Sequence, residues 1–165
     1  MVGFYTFLWI SHVPFPDKRL RKLLQAKGYK VIMTRTSDEF IELTERANIA
    51  NTKQADLFIS IHNNSMPDGY SGVMTLYSTR DSKEDFTSKN LAEAIQESMV
   101  KTLKTKSIGA RERDNLVVLN KTTMPAVIVE VGCMSDSTEL KQLKKASFRQ
   151  KAAKAIYNAI DSLEF

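Results

Sequence analysis

The chain has 165 residues, of which 24 are Lys or Arg and 19 are Asp or Glu, so its formal charge is +5. Apolar residues make up 42% and charged residues 26%, a balance that excludes a disordered tail or a collagen-like repeat. The single cysteine, Cys133, excludes an internal disulfide and a cysteine-rich zinc knuckle. The basic balance favours an anionic partner such as a cell-wall polymer, nucleic acid or a membrane surface, without choosing among them.

The first apolar stretch, residues 2–10, is too short to span a bilayer. It lacks the positive segment of a secretory signal, and no small-residue cleavage site follows it. We interpret it as a buried strand or an apolar N-terminal arm. Since no other run approaches 18 apolar residues, we predict no membrane span.

Helical and strand patterns alternate along the rest of the chain. Asp17 stands at an N-cap position before a segment with Leu20, Leu23 and Leu24 on one face, and Gly28 ends that helix. In chain order the patterns predict a helix over 18–27, a strand over 31–34, a helix over 40–55, strands over 57–61 and 73–77, a helix over 90–103, strands over 116–119 and 126–129, and helices over 135–145 and 147–163.

Polar segments at 62–72, 78–88 and 108–115 are predicted loops, and the helix over 40–55 is predicted to bury Phe40 with its apolar stripe. Strands separated by helices of ten or more residues predict an α/β fold. We expect a single-domain three-layer sandwich, with a mostly parallel twisted sheet of about five to six strands flanked by helices. In such a sheet the functional residues collect at the carboxyl ends of the strands.

Three predicted strand ends carry polar groups. Arg35 follows the first strand, and His62 follows the strand over 57–61. A neutral imidazole at that place suits a metal ligand or an acid–base group. The alternative is a partly buried histidine that only hydrogen-bonds a loop. Arg46, Asn48 and Asn51, on the predicted helix over 40–55, are interpreted as capping and packing groups between helix and loop. Cys133 is interpreted as a small buried residue.

Glu130 lies among apolar strand residues at the third strand end. A carboxyl is rarely buried without a partner or a task, and a pKa raised by burial would suit a general base that takes a proton from a metal-bound water. The alternative is a structural ion pair, with Arg111 or Arg113 as its partner.

Four phrases occur in order: GYKVIMTRTSDEFIELTERANIAN, ADLFISIHNNS, GVMTLY and MPAVIVEVGCMSD. Together they closely resemble the zinc-dependent N-acetylmuramoyl-L-alanine amidases of the group often called amidase 3. The resemblance implies hydrolysis of the amide between N-acetylmuramic acid and L-alanine in peptidoglycan, with one zinc held by two histidines and a glutamate. It implies that His62 is the second histidine ligand and that Glu130 is the catalytic glutamate.

The N-terminus departs from that pattern, because no histidine–glycine motif and no glutamate precede Gly28. We therefore expect a degenerate or truncated N-terminus, with residues 1–16 as an atypical segment and 17–165 as the amidase catalytic domain. The zinc site is expected to be incomplete, and His12 is the one candidate for a substitute ligand.

The sequence thus predicts a peptidoglycan amidase that acts at the cell wall or outside the cell. The alternative is a catalytically impaired relative that only binds peptidoglycan, and a nucleic-acid partner is not expected. A monomer is favoured. No signal peptide is recognisable, so a phage or lysis-released origin is one of the routes that the resemblance allows.

Overall fold

The computed structural model describes residues 5–10, 17–37, 39–67, 69–80 and 86–163. Within these ranges there are six strands and six helices. In chain order they are β1 (Tyr5–Ile10), α1 (Asp17–Lys27), β2 (Lys30–Met33), α2 (Leu43–Thr52), β3 (Leu57–Asn64), β4 (Val73–Tyr77), α3 (Ser88–Leu103), β5 (Ser107–Glu112), α4 (Val117–Lys121), β6 (Ala126–Cys133), α5 (Ser137–Leu143) and α6 (Ala146–Asp161).

The strands form one sheet in the order β2-β1-β3-β6-β4-β5. Strands β2, β1, β3 and β6 run parallel, whereas β4 is antiparallel to β6 and pairs with β5 in parallel. The predicted α/β sandwich with a mostly parallel sheet is confirmed. Because β3 and β6 are central, their backbone groups are paired on both sides and their apolar runs are covered on both faces.

Each face of the sheet has its own core. The larger core packs α1, α3 and α6 on one face and includes Leu20, Leu24, Ile59 and Val129. The smaller core, on the opposite face, joins α2 and α4 to the strands. Its buried members are Ala50, Ala55, Phe58, Met74, Leu76, Val118, Leu119, Met124, Ala126 and Ile128.

Strand β1 lies within the atypical segment 1–16. Its residues pair with β2 on one side and with β3 on the other, with Phe7 opposite both Ile32 and Phe58. One of the two interpretations of residues 2–10, a strand, therefore holds for residues 5–10. The sheet takes part of its framework from that segment.

Two predicted elements are wrong. The sequence predicts a loop over residues 108–115, but β5 covers most of them. This strand is at the edge of the sheet, and half of its residues are exposed and none is fully buried, so its sequence carries the charge that edge strands tolerate and no apolar alternation. The sequence predicts a strand over residues 116–119, but Val117 begins α4. Its short apolar run packs Val118 and Leu119 into the smaller core, and a run of that length does not separate helix from strand.

The helix predicted over 40–55 begins only at Leu43, and Phe40 is 70% exposed instead of buried. The carbonyls on either side of Phe40 accept hydrogen bonds from arginine side chains, which stabilise a non-helical segment before α2. Strand β3 also extends beyond its predicted end, through His62 to Asn64.

Gly72 gives a test of how β4 is placed beside β5. Its φ is +122°, and a Cβ there would meet the Lys106 carbonyl oxygen at 2.5 Å. We expect Gly72→Ala to lower the free energy of unfolding by about 1–3 kcal/mol in denaturant titration, since strain and a backbone clash act together. Gly28→Ala is the matched control, because its φ is +100° but no atom lies within 4 Å. Equal losses in the two variants would show that the clash has no effect.

Candidate active site

The two predicted site residues are brought together by strand pairing. His62 on β3 is opposite Glu130 on β6 in a parallel ladder. Residues paired in this way point to the same face of the sheet, so the imidazole and the carboxyl are neighbours on one face. Beyond them the register shifts between His62 and Asn64, where the regular pairing of β3 with β6 ends. The pair therefore stands near the carboxyl ends of both strands.

The face that they share is the one covered by α2 and α4. Every second residue of β3 points to the same side of the sheet, and His62 shares its side with Ser60 and Phe58. Phe58 belongs to the smaller core, which identifies that side. His62 Nε2 lies 2.9 Å from the Oγ of Ser60, which is fully buried. The hydrogen bond to Ser60 restricts the orientation of the imidazole.

The surroundings of His62 keep it neutral. Burial lowers its pKa to about 4, and the positive charges of Arg46 and Arg35 act in the same direction. At neutral pH the ring therefore carries no charge, which is the state required of a metal ligand. It is not an imidazolium and cannot serve there as a general acid.

Burial has the opposite effect on Glu130, since it raises the pKa of this carboxyl to about 7. Its Oε2 atom is buried and has no hydrogen-bond partner among the described residues. The ion-pair alternative is not supported, because a neighbouring arginine would lower the pKa of the carboxyl. Arg111 is exposed, and its Nε donates to the Ile108 carbonyl at 3.0 Å.

Two buried arginines shape the segment before α2. Arg35 Nη1 donates to the Glu39 carbonyl at 2.6 Å, and Arg46 Nε donates to the Ile41 carbonyl at 2.6 Å. These two carbonyls flank Phe40. The sequence pattern predicts packing for Arg46 and a strand end for Arg35. It carries no sign of the effect of both charges on His62, which only their positions in space reveal.

Asn51 on α2 links this helix to the chain that enters β6. Its Nδ2 donates to the Lys121 carbonyl at 2.7 Å, and its Oδ1 accepts from the Thr123 backbone N–H at 3.0 Å. The predicted role of Asn51 between helix and loop is confirmed. It ties the helix that carries Arg46 to the strand that carries Glu130.

The donor groups of the described ranges fall short of a zinc centre. Catalytic zinc takes three protein ligands. The residues that the structure describes contain no group of three or more His, Cys, Asp or Glu side chains that could hold a metal ion. His62 and Glu130 supply one imidazole and one carboxyl, so they do not fit a complete zinc centre. The candidate substitute His12 lies outside the described residues.

Among the residues that the structure describes, no helix is long and apolar enough to cross a membrane.

Comparison with known proteins places the chain in a family. Residues 17–162 match the sequence profile of the N-acetylmuramoyl-L-alanine amidases. Among curated proteins of Bacillus subtilis strain 168, it is 37% identical over 139 residues to the uncharacterized protein YqiI, covering 84% of this chain and 66% of that protein. It is 35% identical over 142 residues to the N-acetylmuramoyl-L-alanine amidase LytC, covering 86% of this chain and 28% of that protein. The chain thus spans less than two thirds of these relatives.

Solved structures agree with this placement. The N-acetylmuramoyl-L-alanine amidase AmiC2 of Nostoc punctiforme superposes with a TM-score of 0.85 at 25% identity, over 95% of this chain and 94% of that one. The CwlD amidase of Clostridioides difficile, solved in complex with the GerS lipoprotein, gives a TM-score of 0.87 at 26% identity, over 96% and 97%.

The Glu130 carboxyl gives a prediction for stability against pH. Because its pKa is raised from 4.5 to about 7, the folded chain keeps a proton that the unfolded chain releases. Its contribution to the free energy of unfolding is complete below pH 4.5 and falls by about 3 kcal/mol as the pH rises through 7. Glu130→Gln lacks this loss, so we expect it to gain stability relative to the parent protein between pH 4.5 and 8 in urea titrations.

In the parent protein and in Glu130→Gln alike, His62 affects the free energy of unfolding in the opposite sense. Because its pKa is lowered, this residue removes stability as the pH falls from 6.5 through 4. Its effect cancels when the variant is compared with the parent at each pH. Glu97→Gln, which neutralises an exposed carboxyl on α3, is the matched control and should show a constant difference. A constant difference for Glu130→Gln as well would mean that its carboxyl is not desolvated.

Proposed function

We propose that this chain hydrolyses a peptidoglycan amide bond, on the premise that the chain belongs to the N-acetylmuramoyl-L-alanine amidase family. The bond is the one between the lactyl carbonyl of N-acetylmuramic acid and the first L-alanine of the stem peptide. The observation that carries the proposal is the pairing of His62 with Glu130 at neighbouring strand ends. Peptidoglycan is accordingly the proposed partner.

We assign proton transfer to Glu130. A carboxyl with a pKa of about 7 is ionised in a substantial fraction of molecules at neutral pH, and it is basic enough to accept a proton from water. The water oxygen attacks the lactyl carbonyl carbon while Glu130 takes its proton. The same proton then passes to the alanine nitrogen as the C–N bond breaks, which regenerates the carboxylate and frees the amine.

We propose His62 as a metal ligand, since its neutral imidazole has a lone pair to offer. Members of the family are generally zinc-dependent, but no step of the reaction is assigned to zinc, because the described residues do not complete its ligand set. His12 is proposed as the residue outside the described ranges to be tested as a further ligand.

The proposed catalytic domain covers residues 17–165, which include all of the family match. Strand β1 completes its sheet from the preceding segment 1–16. We propose action at the cell wall or outside the cell, because the curated relatives include LytC and the probable cell wall amidase LytH of Staphylococcus epidermidis. Three routes to the wall are proposed: release as a phage enzyme, release by lysis of the producing cell, or export as part of a longer protein.

Activity is tested on purified peptidoglycan by following the release of new L-alanine amino groups. We expect Glu130→Gln to lower the rate by at least about 100-fold, since it removes the group that carries the proton. The rate of the parent protein should rise with pH to a midpoint near 7, because the working form of Glu130 is the carboxylate.

Glu97→Gln is again the control and should keep the parent rate. If the parent chain sediments with cell walls but releases no amino groups with or without added zinc, then the alternative of a binding module replaces the enzyme. An unaltered rate in Glu130→Gln would remove the proposed proton carrier.

Zinc binding is tested separately by equilibrium dialysis followed by metal analysis. A complete zinc site binds with roughly 10–16 kcal/mol, and fewer ligands give much less. We therefore expect weak binding that is lost in His62→Ala. Loss in His12→Ala as well would identify the substitute ligand. Stoichiometric zinc that survives in His62→Ala would contradict the proposed role of this imidazole.

A further inference from the structure

The exposed large apolar side chains of the described residues lie in segments that follow three of the parallel strands. They are Phe40, Leu43, Tyr70 and Met134. Phe40 and Leu43 follow β2, Tyr70 follows β3 and Met134 follows β6. Since these three strands all run in the same direction, the four side chains belong to segments at one edge of the sheet, the edge that carries the candidate site. Apolar surface confined to a site in this way is typical of a surface that binds a ligand.

Phe40 is the most exposed of the four, at 70%, and its backbone is fixed on both sides. The carbonyl before it accepts from Arg35 and the carbonyl after it from Arg46, each at 2.6 Å. Both arginines are buried, so the two anchors are parts of the protein interior. Charge-assisted hydrogen bonds are among the stronger ones. An exposed aromatic residue is thereby held in place without being packed.

The ring of Phe40 also has a defined inner side. The Arg46 guanidinium carbon lies 5.8 Å from the ring centre, and this arginine is buried while the ring is exposed. The same Arg46 charge lowers the pKa of His62. One arginine therefore connects the inner side of the ring with the candidate site, and the rest of the ring is open to solvent.

The charges beside Phe40 indicate the kind of ligand. Glu39 and Glu42, on either side of it, are both exposed. The guanidinium groups of Arg35 and Arg46 lie beside the same segment, so the local charges balance and favour neither an anionic nor a cationic ligand. The sugar rings of peptidoglycan are neutral where the lactyl carboxyl is bound in the amide. A sugar ring also offers a flat face of C–H groups while its hydroxyls stay in water, and an aromatic ring covers such a face without leaving polar groups unpaired.

We propose that Phe40 is a stacking platform for a neutral sugar ring of the glycan strand, so that it positions the sugar side of the substrate at the site. This inference rests on the proposed function and adds to it a binding subsite. Arg35 and Arg46 are its positioning residues, since they act through the backbone at Phe40 and touch no sugar themselves.

Binding is measured by calorimetric titration with two separate probes. One is the disaccharide of N-acetylglucosamine and N-acetylmuramic acid, with its lactyl carboxyl converted to the amide, and the other is the free stem tripeptide. We expect Phe40→Ala to weaken disaccharide binding about tenfold and to leave tripeptide binding unchanged. Phe40→Tyr keeps the ring and should bind the disaccharide within about twofold of the parent protein.

Thermal unfolding controls for the fold, and Phe40→Ala should unfold at the parent temperature because the ring buries little surface. The inference is overturned if the parent binds no disaccharide, if Phe40→Ala binds it as the parent does, or if the tripeptide is the probe that weakens. Hydrolysis by the parent together with unaltered disaccharide binding in Phe40→Ala would reject this subsite and leave the proposed function intact. If Phe40→Ala loses disaccharide binding tenfold but the parent protein hydrolyses no peptidoglycan, the subsite stands and the proposed function is rejected.

Discussion

The site depends on one constraint, the parallel register that sets Glu130 on β6 opposite His62 on β3. Strand β6 is central, so its other neighbour is β4, and there the partner of Glu130 is the apolar Met74. The carboxyl thus has an imidazole on one side and a thioether side chain on the other. Neither supplies a cation that would hold it ionised, and its pKa rises to about 7 because burial is left uncompensated. A slip of one residue in β6 would turn the carboxyl to the opposite face, into the larger core.

Burial of the two arginines near the site is costly for the stability of the fold. Burial lowers the pKa of Arg46 to about 10, and the charge of Arg35 adds to this effect. Their bonds to backbone carbonyls offset part of the cost, as hydrogen bonds to charged groups are worth about 1.5–3 kcal/mol. Selection for stability alone does not explain two buried arginines whose positive charges lower the pKa of the neighbouring His62. The arrangement is understandable where an uncharged imidazole and an ordered segment at the sheet edge are both useful.

The sequence was informative where burial is complete and misleading where it is partial. The runs LFISI and AVIV are covered on both faces, so their apolar character alone predicts β3 and β6 and, through them, the position of both site residues. Edge strand β5 buries too little to show a pattern, and the four apolar residues at α4 are too few to define a period. Phe40 fits a helical stripe in sequence, but the side chains of Arg35 and Arg46 bind the backbone on either side of it in a segment that precedes α2. Hydrogen bonds from a side chain to the backbone leave no periodic signal.

The direction of the strands explains why the site is built from some connections and not from others. Strands β4 and β5 run against the remaining four, so the segments that follow them emerge at the opposite edge. There Ser78 Oγ donates to Asp114 at 2.8 Å, a bond that joins the two segments to each other. The side chains at the site accordingly lie near the carboxyl ends of β3 and β6 or in the segment that follows β2. Strand β4 contributes only its beginning, through Met74. One reversed strand beside β6 therefore both places an apolar side chain beside Glu130 and keeps its own carboxyl-end loop away from it.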